Sequence, residues 1–164
     1  EVAAHQRHFS RALRELEFAR ALDDSEAEIH ALLGRIYLRR GMLEESAGAV
    51  RRALARDPHH KDAMLCRAQI ALRRDDPAFA ATCALDALAR DISRAEGHYY
   101  LGLALRRLGR GAEALQAFEV CASRNPGLAA PYRHMGYICA EQLRDPVRAT
   151  EYRQRGKPIV RSRR

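Results

Sequence analysis

Tryptophan is absent from this 164-residue chain, and aromatic residues make up only 6% of it. That scarcity argues against a sheet core, which draws on aromatic and β-branched side chains. The four cysteines, Cys66, Cys83, Cys121 and Cys139, form no CxxC pair, so the paired spacing of a structural zinc site is missing. They fall on apolar faces, where the plain reading is small buried hydrophobes. That pattern favours a reducing, cytoplasmic compartment without fixing one. GxxxxGK, HExxH, GxSxG and GxGxxG are all missing. No catalytic residue, metal or cofactor is expected, and the chain is read as a non-enzyme. There is no signal peptide and no apolar run long enough to span a bilayer. The chain begins at Glu1 and not at methionine, so it is read as a piece of something longer.

What is present is alanine, arginine and a helical pattern. Hydrophobic residues make up 47% of the chain, ample for a packed core and too many for disorder. The formal charge is +8, part of it in the closing run KPIVRSRR, residues 157–164, a basic tail without acids. Such an excess can steer an acidic partner or a nucleic acid. No nucleic-acid module is recognisable, so weak binding through a basic surface ranks only as an alternative.

The chain repeats itself at a step of 34. Gly34, Gly102 and Gly136 share one column with Ala68. Twelve positions on stand Ser46, Ala80 and Ala114. A larger column follows with Leu16, Val50, Ala84 and Phe118, then Ala19, Ala53, Ala87 and Cys121. Gly41 and Gly109 sit where a first helix should stop, and Pro58 and Pro126 where a second should end. The spacing predicts a helix over about 3–22. Pairs are then predicted at about 27–40 and 43–56, 61–74 and 77–90, 95–108 and 111–124, and 129–143 and 146–156. Asp76-Pro77 and Asp145-Pro146 stand 69 apart instead of 68, which places one extra residue between Ile138 and Asp145. Helix pairs this short cannot bury their apolar stripes alone, but stacked copies can.

These columns resemble the tetratricopeptide repeat. In AEGHYYLGLALRRLGRGAEALQAFEVCASRNP, residues 95–126, Leu101-Gly102, Ala114, Phe118 and Pro126 fall where that family places its leucine-glycine, small residue, aromatic and proline. ALLGRIYLRRG, residues 31–41, adds Leu33-Gly34 and Tyr37. Arg67, Ala71 and Cys139 depart from the pattern, and the repeat at 61–94 is the least typical. The resemblance implies an all-α fold, a right-handed superhelical solenoid of antiparallel helix pairs. It implies one domain over 1–156, with a half repeat at about 3–24 and full repeats at about 27–60, 61–94, 95–128 and 129–160.

The resemblance also implies a concave groove, lined by first helices, that takes an extended peptide or a partner helix. By helical period its lining is Arg35 and Arg39, Gln69 and Arg73, then Tyr99, Leu103 and Arg106, then Arg133 and Tyr137. Ala31, Leu38, Leu65, Leu72 and Arg107 share that face, His134 borders it, and Glu28, Asp62, Glu96 and Glu141 stand at its margins. Arginine's planar fork fits carboxylates, and tyrosine adds flat area with a hydroxyl. The expected partner is a protein or peptide with acidic character or a free C-terminal carboxylate. The plain alternative for the arginine pairs ending each first helix is solvation and a favourable dipole. The lysine-and-asparagine clamp with which some family members hold chaperone C-termini is absent, the matching slots being Ala31, Arg35 and Cys66. The other reading is architectural: self-association, or packing on another domain of the parent protein. His5 with His8, and His59 with His60, lack completing ligands for a metal.

Overall fold

The computed structural model describes Arg11, residues 14–18 and residues 26–156. The helix expected over about 3–22 lies mostly outside the described residues, within which Arg11 and residues 14–18 are helical. The basic tail also lies outside them. Helices α1 (Ala27–Arg39), α2 (Leu43–Arg56), α3 (Lys61–Arg73), α4 (Pro77–Arg90), α5 (Ala95–Arg107), α6 (Gly111–Arg124), α7 (Ala129–Tyr137) and α8 (Pro146–Arg155) follow one another. No strand occurs among the described residues. The chain divides into two compact units, Glu1–Asp75 and Asp76–Arg164. The division falls inside the repeat that the sequence marks as least typical.

In the first unit, α1 and α2 form a hairpin closed at the glycine column. A Cβ on Gly34 would stand 2.7 Å from Val50 Cγ2, so glycine is what allows the two helices to approach. The small slot opposite is filled by the buried Ser46, whose hydroxyl donates to the Gly34 carbonyl at 2.7 Å. That bond satisfies a polar group that burial would otherwise leave costly. Helix α3 joins the same core, where Ala31, Leu38, Val50, Ala53, Ala63, Cys66 and Ile70 cluster. On the other flank Leu33, Ile36, Tyr37 and Ala49 pack with Leu16, and the Tyr37 hydroxyl donates to Glu17 at 2.8 Å.

The second unit repeats the design with a larger filler. A Cβ on Gly102 would stand 2.9 Å from three ring carbons of Phe118, which is fully buried. Leu105, Ala114, Leu115, Met135, Ile138 and Cys139 complete that core. The one-residue slip takes a definite form here. Residues Ile138–Gln142 are a π-helix, and the Leu143 amide reaches back five residues to the Ile138 carbonyl at 3.0 Å. A π turn is how one added residue fits within an α-helix, so the expected first helix at 129–143 is an α segment followed by this wider turn.

The turns inside the repeats alternate in chemistry. Gly41 and Gly109 take left-handed φ values of 78° and 75°, where glycine carries no Cβ penalty. The corresponding residues of the other two turns are Asp75 and Arg144, held at 59° and 53°. Those two turns are compensated at the next residues. Asp76 and Asp145 cap α4 and α8, accepting from the amides of Phe79 and Arg148 at 3.0 Å, and each is followed by proline at the first helical position. Helices α2 and α6, after the glycine turns, have no side-chain cap.

Candidate functional site

On α1, Arg35 and Arg39 stand one turn apart and are both exposed. On α3, Gln69 is half-buried and Arg73 exposed, again one turn apart. This face of the first unit carries its own acids. Arg35 Nη1 lies 3.7 Å from Asp62 Oδ2, and His60 Nε2 lies 3.0 Å from Glu28 Oε2. The acids placed at the groove margin by sequence are thus engaged with basic groups of the same unit.

Four side chains assigned to the open face belong to the interior. Ala31, Leu38, Leu65 and Leu72 are buried. For Ala31 and Leu38 the cause is α3, whose Ala63, Cys66 and Ile70 pack against them. A helix in an array shows solvent a narrower strip than a lone amphipathic helix does, because its flanks are covered by neighbours.

In the second unit, α5 carries Tyr99, Leu103 and Arg106, all half-buried, while α7 carries Arg133 and Tyr137, both exposed. Tyr99 and Leu103 pack on the core. The Arg106 guanidinium carbon lies 5.3 Å from the centroid of the Tyr137 ring, a cation–π contact. Its Nε is buried and has no hydrogen-bond partner among the described residues. Beside it, the Tyr99 hydroxyl is 3.3 Å from His134 Nε2. The His134 ring stacks on Phe118 at 5.1 Å, and Tyr99 meets Phe118 edge-on at 5.8 Å. Burial lowers the His134 pKa, and Arg106 and Arg133 lower it further, to about 4. The Tyr99 pKa is raised, mainly by burial and against the pull of Arg133.

The structure therefore gathers Tyr99, Arg106, Arg133 and Tyr137 around His134, a side chain that the sequence placed only at the border. Its signal was available: it stands 35 residues after Tyr99, one repeat and one residue on. The cysteines are all free and buried. Burial pushes the Cys66 and Cys121 thiols up to about 11, which makes them inert packing groups. Among the described residues no group of His, Cys, Asp or Glu could hold a metal, and no helix is long and apolar enough to cross a membrane.

Comparison with known proteins places the chain among helical repeats. The family described as tetratricopeptide repeat matches residues 2–61, 40–82 and 65–129. No curated protein matches the chain. Among solved structures, MamA is 21% identical with a TM-score of 0.77, over 93% of this chain and 89% of that one. PilF of Pseudomonas aeruginosa is 20% identical with a TM-score of 0.80, over 94% of this chain and 71% of its own. YrrB, described as a TPR protein with an unusual peptide-binding site, is 21% identical with a TM-score of 0.71, over 94% of this chain and 79% of its own. At these identities the likeness is one of fold: all-α, built as a solenoid of helix pairs.

Proposed function

The chain belongs to the tetratricopeptide repeat family, a family of protein-interaction scaffolds, and we propose that it captures an acidic extended peptide or partner helix. The faces offered to it are Arg35, Arg39, Gln69 and Arg73 in the first unit and Tyr99, Leu103, Arg106, Arg133 and Tyr137 in the second. The observation that carries this reading is the presence of arginine on each first helix, joined by tyrosine on α5 and α7, at positions that remain partly or wholly exposed. Arginine and tyrosine are the side chains that dominate the energetics of protein interfaces. YrrB, of the same fold, is a peptide binder by its description.

The test is display of random peptides against the immobilised chain, followed by the triple variant Arg35→Glu, Arg106→Glu and Arg133→Glu. Enrichment of acidic sequences by the wild type, lost in the variant, is the expected result. Enrichment indifferent to acid content, or undiminished by charge reversal, overturns the reading.

A second reading has its own observation. Phe79, Leu85 and Ile92 of the second unit are 47%, 54% and 69% exposed. Large apolar side chains in water serve association, with a copy or with another domain of the parent. Light scattering separates the two: a dimer that Leu85→Asp turns into a monomer favours association, and a monomer throughout removes self-association.

A further inference from the structure

In the second unit the arginines divide into two kinds. Arg110, at the cap of α6, holds Glu113 at 2.6 Å, and Arg148, on α8, holds Glu119 at 3.0 Å. Arg106 and Arg133, which flank His134, form no ion pair and donate no side-chain hydrogen bond among the described residues. Glu141, on the π turn that extends α7, likewise forms no ion pair among the described residues. Two cationic groups are thus held beside a cluster of aromatic rings with no acid paired to them among the described residues. Like charges so placed repel, and Arg106 is partly withdrawn from water, so an anion arriving there gains more than it would at an open surface.

We infer that Arg106, backed by Tyr137 and joined by Arg133, is a carboxylate-binding subsite of the second unit. The inference rests on the scaffold reading for its biological ligand. The Arg106 guanidinium carbon stands over the Tyr137 ring, 5.3 Å from its centroid. That contact restrains the side chain, and with Nε buried the two terminal nitrogens are the donors left to a ligand, a fork that matches two carboxylate oxygens. Because the fork is oriented before the ligand arrives, little rotamer freedom is lost on binding. Arg133 is exposed and lies near enough to both Tyr99 and His134 to act on their titration. It supplies a second positive group on the solvent side. Leu103, half-buried on the same helix as Arg106, offers apolar surface to the residue bearing the carboxylate. A lysine in place of Arg106 keeps the charge but has neither the flat face for Tyr137 nor the fork.

The carboxylate can come from an aspartate or glutamate side chain or from a chain terminus, and three peptides separate these sources. Acetyl-Asp-Glu-Asp-amide carries only side-chain carboxylates, acetyl-Ala-Ala-Ala only a terminal one, and acetyl-Asn-Gln-Asn-amide none. Each is titrated into the full chain while the Arg106 Nε–H and Tyr137 ring resonances are followed by NMR. Saturable shifts at both residues are expected with at least one carboxylate-bearing peptide and not with the neutral one. Arg106→Lys should weaken that peptide tenfold or more, and Tyr137→Leu several-fold. Binding that bypasses Arg106, equal binding of the neutral peptide, or full affinity in Arg106→Lys each overturns the subsite. The wild-type titrations decide the matter even if a variant misfolds. Display that yields acidic ligands whose shifts avoid Arg106 ends the subsite and spares the scaffold reading. Shifts at Arg106 with no displayed ligand do the reverse.

Discussion

The two units present the same repeat with opposite electrostatic outcomes. In the first, Arg35 meets Asp62 and His60 meets Glu28, so basic and acidic groups largely answer each other within the unit. In the second, Arg106 lies against the Tyr137 ring, Arg133 stands near His134, and neither forms an ion pair among the described residues. The repeat frame therefore fixes where side chains stand, while charge complementarity is decided locally by the residue at the head of the next first helix. Position 62 is an aspartate that neutralises the repeat before it. One repeat step on from 62 stands Glu96, and one step further the slot holds Ala130, so α7 brings no such acid to Arg106.

The largest effect should come from removing that difference. Arg106→Ala with Arg133→Ala is expected to lower affinity for an acidic peptide by roughly ten- to a hundredfold, at about 1.5–3 kcal/mol for a hydrogen bond to a charged group. Arg35→Ala with Arg39→Ala should cost about threefold or less, since the first unit's arginine is already engaged. Fluorescence anisotropy with a labelled acidic peptide measures both, and equal losses would erase the distinction between the units.

A smaller effect concerns pH. His134 has its pKa lowered from 6.5 to about 4, so the folded state holds its proton less tightly than the unfolded chain does. Stability from this residue is complete above 6.5 and falls as pH drops toward about 4. The ring is half-exposed, and solvent screening should reduce the change in the unfolding equilibrium to several-fold. Hydrogen exchange in α7, measured across that range, should show the decline, and His134→Gln should flatten it.

The smallest effect is a gain. Asp62→Asn frees Arg35 and should raise affinity for the same acidic peptide by about twofold, in keeping with the modest worth of exposed ion pairs. A loss of affinity would mean that Asp62 itself takes part in binding.

Much of the fold was legible because packing columns are written in residue size. Gly34 against Val50 and Gly102 against Phe118 can be read from spacing alone, and the structure places a would-be Cβ against those same side chains. The candidate site was less legible. Arg106 and Tyr137 are 31 positions apart, and no local pattern reports their contact. Facing was also misjudged at Ala31 and Leu38, because helical period defines a lone helix's faces and α3 covers part of the one in question. The added residue before Asp145 could be counted in advance. Its form could not, because a backbone amide's choice between carbonyls four and five residues back leaves little trace in side-chain identity.

That added residue has a consequence for how the last repeat tolerates change in length. One more residue in a helix would ordinarily turn everything beyond it by about 100° and carry the next helix's packing side chains off target. Here the surplus is absorbed within Ile138–Gln142, so Asp145 still caps α8 and Ala149 is still buried. Excising Ala140 should accordingly relax the wide turn into ordinary helix and leave α8 seated as before, which amide protection of Ala149 would report. The segment works as an expansion joint, taking up a change of length so that its neighbours on either side need not move.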